Sequence, residues 1–244
     1  MGPPRFHVPG AAPGARLRLP DHVAHHARDV LRLRAGASVH VFDGEGAEYE
    51  AVLESVDRRA TVAHLRGAVP ALPEPALALT LALSPLKGDL MELVIQKATE
   101  LGVAELRPVV CGRTDAAARP ALRGTRQERW EKVASGAAEQ CGRARVPRIA
   151  PAGTLVELLG EAFDGPRLLL QEPGAERPPL GALPHPGARL LLLVGPAGGF
   201  EPVEIARAAA AGFQAVRLGP RVLRSETAAV AALAAAQALW GDLR

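Results

Sequence analysis

The chain has 244 residues, 48% of them hydrophobic and 23% charged, with a net charge of +3. That much apolar material excludes wholesale disorder, and no apolar run reaches the roughly 18–20 residues that a membrane span needs. The two cysteines, Cys111 and Cys141, lack CxxC or Cys/His spacing and give no support for a disulfide framework or a metal site.

The N-terminus, MGPPRFHVPG, has no apolar signal-peptide core, so a cytoplasmic protein is expected. Residues 1–34 hold six arginines against two aspartates. A short helix fits Asp21–Leu33, with Asp21 as N-cap and Val23, Ala27, Val30 and Leu31 on one face. Strand patterns follow at Ser38–Asp43, Tyr49–Leu53 and Thr61–Leu65, the first closed by the turn signal Asp43-Gly44-Glu45-Gly46. Residues 1–68 therefore read as a small β-rich unit. The prolines at 70, 73 and 75 mark a linker over residues 69–76.

Residues 77–244 alternate strands with helices. Strands are predicted at Leu77–Ser84, Glu105–Val110, Arg167–Gln171, Arg189–Gly195 and Ala215–Gly219. Helices are predicted at Asp89–Leu101, Arg126–Gln140, Leu155–Phe163, Pro202–Ala211 and Glu226–Trp240. In the first of these helices Leu90, Val94, Ala98 and Leu101 share a face. Such alternation implies an α/β domain with a mostly parallel, helix-covered sheet. A second basic cluster, nine Arg/Lys against four acids, lies in residues 111–148.

The sharpest feature is Leu190–Phe200, LLLLVGPAGGF, followed by Glu201-Pro202-Val203-Glu204. A buried strand ends in a Gly/Pro loop and a helix begins, with Pro202 at its first position and Glu204 in its first turn. Gly198 and Gly199 permit close backbone approach to a ligand. The loop is neither a Walker loop nor a GxGxxG fingerprint. A second strand–turn–helix follows at Leu218-Gly219-Pro220-Arg221-Val222-Leu223-Arg224-Ser225-Glu226-Thr227. Capping explains Ser225 but not the two arginines, Arg221 and Arg224, in the turn.

Together these loops, GPAGGF…E and LGPRVLRSETAAVAAL, resemble the C-terminal signature of the RsmE family of 16S rRNA uridine-N3 methyltransferases. PRFHV at Pro4–Val8, the Lys87…Gln96…Thr99-Glu100-Leu101-Gly102 segment, and Glu139-Gln140-Cys141-Gly142-Arg143 followed by Val146-Pro147 resemble further family segments, in order along nearly the whole chain. Ala197 departs from the family's usual Glu in GPEGG.

The resemblance implies a C-terminal SPOUT trefoil-knot methyltransferase domain and an N-terminal PUA-like β-barrel that contacts RNA. It implies bent S-adenosylmethionine held by loops near Gln171, at Gly195, Pro196, Gly198 and Gly199, and at Leu218, Gly219, Arg221, Val222 and Leu223, with Thr227 beyond. Proton removal from uracil N3 and stabilisation of the resulting charge would fall to Glu204 or Glu226 and to Arg224. Arg5, Lys87, Arg113, Arg143 and Arg145 are the candidate RNA contacts. The implied partners are 16S rRNA in the 30S subunit and a second copy of the chain, paired through Val230, Leu233, Ala234 and Gln237 of the Ala-rich final helix. No metal is expected: His22 and His26, four apart on the first helix, lack a third ligand. Two alternatives stay open: a methyltransferase of the same fold with another target nucleotide, and a non-catalytic RNA-binding protein.

Overall fold

Residues 2–116, 118, 125–174 and 176–243 are described in the computed structural model; Arg119 and Arg123 of the second basic cluster lie outside them. The chain divides into one unit of residues 1–74 and 135–146, and another of 75–134 and 147–244.

In the first unit, β1 (Arg5–His7), β2 (Arg16–Arg18), β3 (Ser38–Phe42), β4 (Glu48–Val56) and β5 (Thr61–Val69) form one sheet in the order β1-β3-β4-β5-β2. Only the β1–β3 pairing is parallel. Alternation along β3 to β5 turns Val39, Val41, Leu53 and Leu65 inward onto Phe6 and Leu19. Helix α1 (Asp21–His25) starts after Pro20, which occupies the N-cap position; Asp21 is its first residue and makes no capping bond. Its continuation, His26–Val30, is π-helical, with Leu31 N–H donating to His26 O (2.9 Å). The i→i+5 bonding shifts the phase of the apolar face, so Val23, Ala24 and Ala27 are buried while Val30 and Leu31 are exposed.

The structure adds residues 135–146 to this unit, a segment the sequence pattern assigned to the C-terminal domain. Ala138 and Ala144 close over Phe42. Arg5 donates to the carbonyls of Ala138, Glu139 and Arg143, and Glu139 accepts the N–H of His7 (2.8 Å). Arg143, itself buried, pairs with Glu74.

The second unit is built on a parallel sheet. Its elements are β6 (Ala78–Leu83), α2 (Leu90–Glu100), β7 (Val103–Val110), α3 (Thr125–Cys141), whose last turns belong to the first unit, β8 (Arg148–Ile149), β9 (Gly153–Thr154), α4 (Leu155–Gly160), β10 (Arg167–Leu170), β11 (Arg189–Val194), α5 (Pro202–Ala210), β12 (Phe213–Val216) and α6 (Ser225–Trp240). The strand order is β12-β10-β11-β6-β7-β8, with β9 also on β7. β6 and β11 sit centrally and are apolar without alternation, because both of their faces are covered. Each leucine so buried contributes about 1.5–3 kcal/mol. On α2 the buried stripe is Met91, Val94, Ile95, Ala98 and Thr99; of the expected face Val94 and Ala98 are buried, Leu101 is half-buried and Leu90 is exposed. On α6, Leu233 and Gln237 are fully buried, Gln237 donating to Leu101 O (2.9 Å), so they are not available for the dimer seam expected of them.

Candidate active site

Strand register fixes where the site forms. Leu170 of β10 lies beside Val194 of β11 and Val216 of β12, and Val194 beside Leu83 of β6. The loops that follow therefore leave the sheet at one level, along its carboxyl edge, where parallel α/β sheets hold ligands. Between them lies a cleft of about 300 Å³.

The loop after β11 forms one wall with Gly195, Pro196, Ala197, Gly198 and Gly199. A Cβ at Gly195 would stand 2.7 Å from the Phe200 ring, so only glycine fits there. Gly199 has φ +69° and its N–H donates to Pro196 O (2.8 Å), closing a tight turn. The loop after β12 supplies Leu218, Arg221, Val222 and Leu223, and α6 contributes Ser225 and Ala228. The loop after β10 supplies Gln171, Glu172, Pro173 and Arg177. Gln171 continues the sheet through its N–H to Val216 O (2.9 Å), while its side-chain Nε2 is buried without an acceptor. A buried N–H facing a cleft in this state is a group waiting for a ligand acceptor.

Nine of the residues named from sequence for the cofactor or RNA line this cleft together with Arg113: Gln171, Gly195, Pro196, Gly198, Gly199, Leu218, Arg221, Val222 and Leu223. Gly219 and Thr227 do not line it, nor do Arg224 and Glu226, which flank the lining residues Leu223 and Ser225. Arg224 occupies the N-cap position of α6, displacing Ser225 into the helix. Glue of another kind explains Glu204. It is buried, and its two carboxylate oxygens accept the N–H groups of Gly112 (2.7 Å) and Glu201 (2.8 Å). That arrangement fixes the start of α5, and Glu204 is not among the residues lining the cleft.

The RNA candidates also separate. All five N–H donors of Arg5 have protein acceptors, and Arg143 is buried against Glu74, so neither guanidinium faces solvent as a phosphate contact would. Lys87 pairs with Asp115 (2.6 Å) and is largely exposed; Arg145 donates to Glu45 O (2.6 Å) from an exposed position. Cys111 sits behind the cleft's neighbouring loop, where burial and the Glu204 charge push its thiol up to about 12. The sequence reading missed Glu172, Pro173 and Arg177. Their signal was position alone, immediately after the carboxyl end of a parallel strand.

Residues 73–237 match the model of an RNA methyltransferase domain, and residues 19–63 that of an RNA methyltransferase PUA domain. The Synechocystis ribosomal RNA small subunit methyltransferase E is 36% identical over 88% of this chain and 70% of its own length. The Mycobacterium bovis protein of the same name is 36% identical over 86% of this chain and 81% of its own. A Neisseria gonorrhoeae ribosomal RNA small subunit methyltransferase E, solved bound to S-adenosyl methionine, superposes with a TM-score of 0.91 at 36% identity, covering both chains fully. A Legionella pneumophila protein solved in complex with the cofactor SAM superposes with a TM-score of 0.93 at 33% identity, again over both full lengths.

The fold and the carboxyl-edge cleft thus define an α/β RNA methyltransferase of the knotted SPOUT class carrying an N-terminal PUA-like β-barrel. Within that class, the chain belongs to the ribosomal RNA small subunit methyltransferase E family, the RsmE family.

Proposed function

We propose that the protein is an S-adenosylmethionine-dependent methyltransferase acting on N3 of a uridine in 16S rRNA. The observation that carries this reading is the cleft itself: three loops at one level, a glycine turn with open space above Gly199, and the unpaired Gln171 amide. These residues fit the cofactor. Gln171 would donate to one of its many nitrogen or oxygen acceptors, the backbone of 195–199 and 218–223 would hold its polar edges, and Leu218, Val222 and Leu223 would pack on its apolar surfaces. Gly219, with φ +121°, shapes the second loop, and Thr227 lies in the first turn of α6.

When bound, S-adenosylmethionine supplies a methyl group on an already activated sulfonium. The protein's task is then mainly alignment and water exclusion. Uracil N3 must lose its proton to become a nucleophile, and the charge spreads onto the ring carbonyls. Arg224, exposed between the cleft-lining Leu223 and Ser225, would stabilise that charge, and Glu226, in the first turn of α6, would be the carboxylate that takes the proton. Lys87 and Arg145 are exposed cations suited to phosphate contacts.

The substrate is read as the small subunit or its assembly intermediates, with residues 1–68 joined by 135–146 as the RNA-contacting unit, 69–76 as linker and 77–244 as the methyltransferase domain. A homodimer is expected through Ala231, Ala234, Ala235 and Ala238 of α6, the first three half-buried and the last exposed. No helix among the described residues is long and apolar enough to cross a membrane.

The test is mass spectrometry of rRNA from 30S particles incubated with the protein and isotopically labelled S-adenosylmethionine. One labelled methyl on N3 of one uridine is expected. Label on a ribose oxygen or another base would overturn the assignment of the target, and absence of cofactor binding by calorimetry would overturn the methyltransferase reading.

A further inference from the structure

We infer that Arg113 is a positioning residue for the cofactor loop, held in place by a buried polar scaffold that ends at Glu204; the inference rests on reading the cleft as the methyl-donor site. β7 stops at Val110 and the chain turns sharply. Cys111 N–H donates to Thr114 Oγ1 (2.8 Å), Thr114 N–H to Cys111 O (3.1 Å), and the Thr114 and Ser84 hydroxyls lie 2.8 Å apart, both buried. Gly112 N–H donates to Glu204, and a Cβ at Gly112 would stand 2.8 Å from the Glu201 carboxyl carbon. The loop is thus pressed onto the start of α5 and bonded there.

None of these buried polar groups lines the cleft. Arg113, between them, does. Its Nη1 donates to Gly198 O (2.9 Å), and its side-chain stem lies 3.5 Å from where a Gly198 Cβ would stand. Gly198 O and Gly199 N–H are the two ends of one peptide group. Arg113 holds the first and Pro196 O holds the second. A peptide flanked by two glycines turns over more readily than any other, because neither side has a Cβ to oppose the rotation. Clamping both ends selects one orientation of the loop backbone before the cofactor arrives, and preorganisation of this kind appears as affinity.

The experiment compares the wild-type protein with Arg113→Ala, Arg113→Lys and Glu204→Gln, measuring S-adenosylmethionine affinity by calorimetry, rRNA affinity, and KM and kcat for methyl transfer. Arg113→Ala should weaken cofactor binding by about 10-fold, the scale of one hydrogen bond from a charged donor. KM for the cofactor should rise in parallel, while kcat at saturating cofactor and rRNA affinity stay within about 2-fold of wild type. Arg113→Lys should recover part of the loss, which a general packing defect would not allow. Glu204→Gln, keeping one acceptor and losing the other, should shift cofactor affinity in the same direction. Unchanged cofactor affinity in Arg113→Ala with weakened rRNA binding would make Arg113 a phosphate contact and overturn the inference alone. A wild-type protein that binds no S-adenosylmethionine would overturn the reading of the cleft and the inference with it.

Discussion

The guanidinium of Arg5 meets the Glu48 carboxylate in two hydrogen bonds, Nε to Oε1 at 2.9 Å and Nη2 to Oε2 at 2.8 Å. Glu48 is 6% exposed at its side chain, and its pKa is the outcome of a contest. Burial raises it, but the hydrogen bonds from Arg5 and His40 outweigh burial and hold it below its ordinary value.

Arg5→Met should therefore destabilise the protein by about 3 kcal/mol, because it leaves the buried Glu48 carboxylate with His40 alone and removes a donor from three carbonyls. Arg5→Lys should rescue little, since an ammonium cannot serve five acceptors in a planar fork. Thermal unfolding checks this. At a temperature where the variant is folded, its rRNA affinity should match wild type; a selective loss of RNA binding without loss of stability would restore Arg5 as an RNA contact.

Gln171→Leu separates ligand recognition from folding. The free protein should hold its Tm or gain slightly, since an unsatisfied buried amide is removed. Affinity for S-adenosylmethionine should fall by about 10-fold, measured by calorimetry. A variant that binds normally would place the ligand elsewhere in the cleft.

Glu139 titrates in the opposite sense to Glu48. Burial raises its pKa above the ordinary 4.5. The folded state thus favours the protonated acid, and the cost of ionisation is fully present above the raised value and absent below 4.5. Glu139→Gln keeps an acceptor for the His7 N–H and should raise Tm at pH 7. The gain should shrink as pH falls and vanish near the ordinary value. A gain that is independent of pH would refute the electrostatic origin.

Cys111 should resist alkylation. With its thiol pushed up to about 12 by burial and the Glu204 charge, almost no thiolate exists at pH 8. Brief treatment with iodoacetamide should label the half-buried Cys141 and leave Cys111 intact, with both labelled in denaturant. Equal labelling in the native protein, read by peptide mass spectrometry, would contradict the packing around Cys111.

The parts of this fold that could be read from sequence are those whose signal is local. The unbroken apolar run at Leu190–Val194 announces a buried parallel strand, and the Gly/Pro turn after it announces the cleft. Short elements carry no such signal: β1 and β2 have three residues each, and β8 and β9 have two, too few for periodicity to speak. The helix expected at Leu155 does start there, on a capping box of Thr154 and Glu157, though it ends at Gly160 rather than Phe163. Charge is the least legible property. Arg5 and Arg143 look like cations available to phosphate until Glu48 and Glu74 appear, 43 and 69 residues away. Glu204 looked catalytic for the same reason: a carboxylate's role depends on which N–H groups it meets, and Gly112 is 92 residues distant.

The contribution of residues 135–146 to the first unit has a consequence for the order of biosynthesis. At about 5–20 residues per second, residue 146 is added roughly 4–15 seconds after residue 74. During that interval the nascent N-terminal sheet has Glu48 for Arg5 but none of the three carbonyls, and Phe42 has the His7 ring stacked on it but not Ala138 or Ala144. The sheet itself is complete by Val69, but the unit is finished only after residues 75–134 of the second unit have been made. A fragment cut at residue 74 would reproduce this unfinished state permanently, with Arg5 left three acceptors short and Phe42 lacking the cover of Ala138 and Ala144.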